Sequence, residues 1–232
     1  MTADRPRIAV VTFPGSNDDG DARLALEGLG AEAVPVWHTS EELPHRVGGV
    51  VLPGGFSYGD YLRCGALARV APVMGAIRGF AADGGPVLGI CNGFQILCEA
   101  GLLPGVLRAN RQVEFLCADV TVAVESAATP FTSACTPGDR LVIPIKHGEG
   151  NWVADDELAA EVAARAQVVL RYDHDVNGSR DRVAGVANVD GNVLGLMPHP
   201  EHAVDPLLGP LGGMPLLEGL IAAARDRVMA SV

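Results

Sequence analysis

The chain predicts an α/β domain whose mostly parallel, mixed sheet is covered by helices. Three observations predict it. Short apolar runs rich in Val and Ile recur along the chain, and they are continuous rather than alternating, as strands buried on both faces require. Segments of helical pattern separate the early runs, which is the βαβ order. One run, Val87 to Ile90, ends in Gly89-Ile90-Cys91-Asn92-Gly93 and passes directly into a helical pattern. That succession of strand, sharp turn and helix is a nucleophile elbow, with Cys91 at its strained centre.

In chain order the predicted strands are Ile8 to Phe13, Val50 to Leu52, Val87 to Ile90, Val120 to Val124, Leu141 to Ile145, Val168 to Leu170, Val183 to Val186 and Val193 to Met197. Helical patterns fall at Asp18 to Leu29, Val70 to Ala82 and Asn92 to Ala100. The later strands lie closer together. Val183 to Val189 and Val193 to Met197, joined by Asp190-Gly191-Asn192, read as a hairpin through a D-G turn. Met214 to Met229 reads as a closing amphipathic helix with Leu216, Leu217, Leu220, Ile221 and Val228 on its apolar face. No repeat, low-complexity tract or linker divides the 232 residues, so residues 1–232 are expected to form a single domain.

Composition narrows the function. The hydrophobic share of 48% suffices for a two-sided core. A net charge of -11 with no basic patch argues against binding to nucleic acid or an anionic membrane. Five cysteines without a C-x-x-C pair suggest neither a disulfide framework nor a thiolate zinc site, and they imply a reducing cytoplasm. Cys64, Cys98, Cys117 and Cys135 read as structural. The start, Met1 to Arg7, is short and charged, and the run behind it is too short for a signal or membrane-spanning segment. A soluble, unprocessed cytoplasmic protein is expected.

Ligands of open α/β sheets sit beyond the carboxyl ends of the strands. Cys91 stands at one such end, where the helix N-terminus behind it favours a thiolate and an oxyanion. Gly89 and Gly93 flank it because side chains there would crowd the turn. Taken alone, the pattern also fits a glycine-flanked core cysteine. A thiol nucleophile needs a base, and the base needs an orienting acceptor. Pro198-His199-Pro200-Glu201 at the end of the last strand supplies both, since residues two apart in extended chain point to the same side. A metal reading through His199, Glu201 and His202 lacks a further ligand, and no metal is expected. An attack on a carbonyl also needs two N–H donors aimed at the oxyanion. Asn92, after the nucleophile, is one, and Gly54-Gly55 in the loop after Val50 to Leu52 brings the other, assigned to Gly55. Two further strand ends are suggestive. In Phe13-Pro14-Gly15-Ser16-Asn17-Asp18, Ser16 or Asn17 reads as the cap of the next helix. In Lys146-His147-Gly148-Glu149-Gly150, His147 reads either as a group supporting the site or as a loop histidine without chemistry.

At these residues the chain resembles the class I (triad) glutamine amidotransferases. The resemblance is carried by Phe13-Pro14-Gly15-Ser16-Asn17, by Pro53 to Asp60 with Leu62-Arg63, by Gly89 to Leu97, by Gly101-Leu102-Leu103-Pro104-Gly105, by His147 to Gly150, and by Gly191 to Glu201. These segments span almost the whole chain, and Gly54-Gly55-Phe56-Ser57-Tyr58-Gly59-Asp60 and His147-Gly148-Glu149-Gly150 are more specific than the elbow. The resemblance implies a flavodoxin-like fold and a glutaminase in which Cys91 is the nucleophile, His199 the acid and base, and Glu201 its orienting carboxylate. It implies Gly54, Gly55, Asn92 and Gln95 around the oxyanion and the glutamine. It further implies no cofactor in this chain, delivery of ammonia to a separate synthetase subunit holding ATP and magnesium, a small third subunit, and a place in purine biosynthesis. The chain departs from the pattern at Tyr172 to Asn177 and at His202, where Arg is expected. Two rival readings are another Cys-elbow hydrolase or isomerase, of the DJ-1/PfpI kind, and a regulatory subunit without catalysis. The first places a His close behind the nucleophile, which this chain lacks; the second does not need Cys91, His199 and Glu201 together.

Overall fold

Strand formation follows the apolar runs. The computed structural model describes residues 5–230, so Met1 to Asp4 of the charged start lie outside the described residues. In chain order the elements are β1 (Arg7–Thr12), α1 (Asp19–Gly28), β2 (Glu32–Trp37), β3 (Val47–Leu52), α2 (Val73–Ala82), β4 (Val87–Ile90), α3 (Asn92–Glu99), β5 (Val106–Arg108), β6 (Leu116–Val124), β7 (Arg140–His147), β8 (Asn151–Val153), α4 (Asp156–Ala164), β9 (Val168–Tyr172), β10 (Val183–Ala187), β11 (Val193–Leu196) and α5 (Met214–Ala230). Short 3-10 turns fill several of the connections.

Among the described residues nine strands form one sheet in the order β2-β1-β3-β4-β11-β10-β9-β6-β7, and β5 and β8 pair separately. The half from β2 to β11 is parallel, and β10, β9, β6 and β7 add antiparallel pairs. The mixed sheet expected from the sequence is therefore present, and the hairpin of β10 and β11 turns through Gly191 at φ +75°. All four residues of β4 are fully enclosed, as a central strand with helices on both faces requires.

The boundaries differ in instructive places. β2 mixes buried and exposed positions and carries Pro35, which suits an edge strand, so it lacks the continuous apolar run that marks the central strands. α4 was missed for lack of an apolar stripe; Val162 is its one buried residue. The pattern from Val70 divides at Pro72, with α2 beginning only at Val73. On α5 the buried stripe runs through Leu216, Leu217, Leu220, Ile221 and Ala224, and Val228 is half-buried. No helix among the described residues is long and apolar enough to cross a membrane.

Topology positions the site. β1, β3, β4 and β11 are adjacent and parallel, so the segments after them emerge side by side at their carboxyl ends. β7 lies at the far edge, yet the chain curls round so that Pro144 accepts the His199 N–H at 2.8 Å. Five strand ends thereby meet at one place.

Candidate active site

Cys91 stands between β4 and α3 with φ +50° and ψ -102°. A non-glycine residue in this region is strained by about 1–3 kcal/mol, a cost that the surrounding structure must impose. Close packing of the turn imposes it. A Cβ on Gly93 would strike the backbone of Leu52, and one on Gly89 would strike Leu97 and Gly93. Both flanking glycines therefore answer to space. Cys91 is 5% exposed and forms the floor of a cavity of about 330 Å³ whose wall includes Gly55, Gln95, Lys146, His147 and Glu149.

His199 and Glu201 are hydrogen-bonded through His199 Nδ1 and Glu201 Oε1 at 2.6 Å, but the segment is not the extended chain that the sequence predicts: Pro200–His202 form a 3-10 turn begun by Pro200, and this turn brings the carboxylate beside the ring. Both side chains are buried, at 1% and 0% exposure. His199 Nε2 is also buried, and no protein group hydrogen-bonds it among the described residues. Burial alone would push the imidazole toward its neutral form. The negative Glu201 carboxylate, and then the adjacent Cys91 sulfur, outweigh burial and raise its pKa above the ordinary value. The ring thus has one nitrogen tied to a carboxylate and the other left for the Cys91 sulfur.

Gly55 has φ +144° and lies in a one-residue bridge with Ser16. The bridge bonds run from Asn17 N–H to Gly54 and from Phe56 N–H to Gly15, on either side of Gly55. The Gly55 N–H is therefore not spent on the bridge. Asn92 opens α3, where first-turn N–H groups have no intrahelical acceptor. Its side chain is a brace: Oδ1 accepts the Ser57 N–H at 3.1 Å, and Nδ2 donates to Gln95 Oε1 at 2.8 Å. Gln95 Nε2 in turn donates to the Glu149 carbonyl at 2.7 Å. Gln95 thus lines the cavity with its amide already engaged, fixing the Gly148-Glu149 wall.

The structure adds groups that the sequence reading did not place. Neither Ser16 nor Asn17 occupies the cap position of α1. Ser16 Oγ turns back to accept the Phe13 N–H at 2.9 Å, and Asp18 holds the cap position without a capping bond. The Asp18 carboxylate is instead buried, ion-paired with Lys146 Nζ, 3.7 Å from His199 Nδ1 and 3.5 Å from His202 Nε2. Burial would raise its pKa, but the close approach of His202, the hydrogen bond from Lys146 and the charge on His199 bring it down to about 2. Asp18 also supplies the ligand that the metal reading lacked, since Asp18, His199, Glu201 and His202 offer ligand atoms within 4.8 Å of one another. Lys146 already neutralises Asp18, and the 2.6 Å hydrogen bond takes His199 Nδ1 and Glu201 Oε1, the atoms that face Asp18 and His202. The arrangement suits proton handling better than ligation.

His147 is buried, and Asn110 holds it in place. Asn110 Oδ1 pairs with His147 Nδ1 at 3.1 Å and accepts the Gly150 N–H at 3.0 Å, while Nδ2 donates to the carbonyls of Glu114 and His147, each at 2.8 Å. Burial and then the charge on His199 lower the His147 pKa to about 4, so it stays neutral beside the His199 ring. Of the remaining cysteines, Cys98 is buried, but Cys117 is exposed and Cys64 forms part of the cavity wall. Cys64 touches Asp60 and Glu149, and its burial, followed by those two acidic neighbours, pushes the thiol's pKa well up.

Comparison with known proteins agrees with this geometry. Residues 5–211 match the family model of the CobB/CobQ-like glutamine amidotransferase domain. The phosphoribosylformylglycinamidine synthase subunit PurQ of Rubrobacter xylanophilus is 54% identical over 219 residues, covering 94% of this chain and 99% of the relative. The same subunit from Mycobacterium tuberculosis is 53% identical over 230 residues, covering 99% of each. A chain in the structure of PurLQS from Thermotoga maritima superposes with a TM-score of 0.87 at 46% identity, covering 94% of this chain and 99% of that one. The elbow, the histidine and carboxylate beside it, and likeness along nearly the whole length lead to one conclusion: the chain belongs to the glutamine amidotransferase family, in its PurQ branch.

Proposed function

We propose that this chain is the glutaminase subunit of phosphoribosylformylglycinamidine synthase, with Cys91, His199 and Glu201 as its triad. The observation that carries the reading is His199, buried and hydrogen-bonded to Glu201 on one side and facing Cys91 of the strained elbow on the other. The Cys91 thiolate attacks the side-chain amide carbon of glutamine, forming the C–S bond and an oxyanion that the Gly55 and Asn92 N–H groups receive. Collapse of this intermediate breaks the C–N bond as His199 gives its proton to the departing nitrogen, leaving ammonia and a γ-glutamyl thioester. His199, now neutral, removes a proton from water, which attacks the thioester carbon. Cleavage of the C–S bond releases glutamate and restores the thiolate and imidazolium. Glu201 keeps the imidazole oriented and stabilises its charge throughout.

Ammonia passes to the PurL-type synthetase subunit, with a small PurS-type subunit completing the assembly, as in the PurLQS complex. ATP and magnesium belong to the synthetase, and the complex works in the cytoplasm in purine biosynthesis. The test is glutamate release from glutamine, by the chain alone and in the reconstituted complex. Cys91→Ala is expected to abolish it, since the turn accepts a small side chain but the chemistry needs sulfur. The mutant complex still forms the amidine with an added ammonium salt, because only ammonia generation is lost. Glutamate release within tenfold of the parent would overturn the assignment.

A further inference from the structure

We propose that Asp18 is a positioning residue for the glutaminase, a second carboxylate that, beside Glu201, holds the His199 ring through the reaction while Lys146 fixes its own place. Asp18 has the position of a helix cap but not the bond of one, so the first turn of α1 forgoes its usual side-chain acceptor. The carboxylate points into the protein instead, where Oδ2 lies 3.7 Å from His199 Nδ1. Its other oxygen meets Lys146 Nζ, and His202 Nε2 stands 3.5 Å away.

Gly54 makes this approach feasible. A Cβ there would collide with both Asp18 Oδ2 and His199 Cε1, so the absence of a side chain lets carboxylate and ring share one space. Glu201 Oε2 has no hydrogen-bond partner among the described residues, so Glu201 holds the ring through one oxygen only. A second negative group beside the same nitrogen helps to keep the ring charged until its proton is delivered.

The groups facing His199 are Glu201, Asp18, Cys91, His147 and His202, with Lys146 acting through Asp18. Of these, Glu201, Asp18 and Cys91 favour the imidazolium and Lys146 opposes it. An opposite charge within about 4–6 Å moves a pKa by about 1–3 units. Lys146 offsets part of the Asp18 field, so loss of that field is expected to lower the His199 pKa by about one unit.

The inference rests on the proposed glutaminase function, and one experiment separates the two. Glutamine turnover by the parent complex tests the function, and the pH profile of kcat/KM in Asp18→Asn and Lys146→Met tests the inference. Asp18→Asn is expected to move the alkaline limb down by about one pH unit, which is about a tenfold loss on that limb, with KM within about twofold. Lys146→Met frees Asp18 from its counter-charge and is expected to move the limb up. An unmoved limb in Asp18→Asn, or shifts of the same sign in both variants, would overturn the inference even with the parent fully active. Should Asp18→Asn fail to fold, the upward shift required of Lys146→Met decides alone, because that side chain is partly exposed.

Discussion

Replacing Glu201 by Gln separates the charge of the carboxylate from its shape. The amide oxygen can still accept from His199 Nδ1, so the 2.6 Å contact and the ring orientation survive while the negative charge is lost. Removing an opposite charge at this range lowers the His199 pKa by about 1–3 units, at about 1.4 kcal/mol each. On the alkaline limb, where the protonated fraction of His199 sets the rate, the full range is about 10- to 1000-fold. Asp18, 3.7 Å from the same nitrogen, remains to hold part of the charge, which places the expected loss near 100-fold. His199→Ala removes the proton carrier itself and is expected to cost more, about 10³-fold or greater. Rapid-quench trapping of the Cys91 thioester from labelled glutamine measures this step in both variants. A loss in Glu201→Gln equal to or larger than that in His199→Ala would refute the division into proton carrier and orienting group.

Two further outcomes follow from the walls of the cavity. Asn110→Ala removes four hydrogen bonds at a residue 1% exposed and deprives the His147 ring and the Gly150 N–H of their partner, a destabilisation of about 1–3 kcal/mol. Denaturant midpoints should show it together with a raised KM for glutamine, and an unchanged midpoint would contradict the role given to Asn110. Glutaminase activity of the isolated chain should be low and rise about 100-fold or more when the synthetase and its substrate bind, since one misplaced oxyanion donor costs about 3–4 kcal/mol. Full activity in the isolated chain, unchanged in the complex, would refute this coupling while leaving the triad untouched.

The parts of the site readable from sequence are those whose constraint is local. Cys91 is legible because strand, turn and helix follow one another without a gap, and His199 and Glu201 because they stand together directly after the last strand, although the prolines open a 3-10 turn there rather than keep the chain extended. Asp18, Lys146 and Asn110 act through contacts between residues far apart in sequence, for which one chain carries no periodic signal. Asp18 was within reach, since it follows β1 where ligand-facing groups are expected. Ser16 and Asn17, small polar residues just before α1, carry the stronger local signal of a cap. Gln95 fell on the right wall, but only the structure shows its amide committed to Asn92 and Glu149. The fold was legible in its buried centre and less so at its margins, where β2, β5, β8 and α4 carry weak or alternating patterns.

Burying this many ionisable groups in one place needs compensation, because an unpaired buried charge costs several kcal/mol. The alternation around His199 supplies it: Lys146 faces Asp18, and the imidazolium faces Asp18, Glu201 and Cys91. A further cation here would repel His199 and loosen its hold on the proton. His147, brought close by the curl of β7, is kept uncharged by burial and by His199, with its pKa near 4. Its neutrality is therefore part of the electrostatic arrangement, and Asn110, by fixing the ring through Nδ1, preserves a shape that Gly150 fits against without a side chain. Five strand ends supply these groups separately. The sheet order brings them to one point, so the chemistry depends on the central strands staying in register more than on any loop.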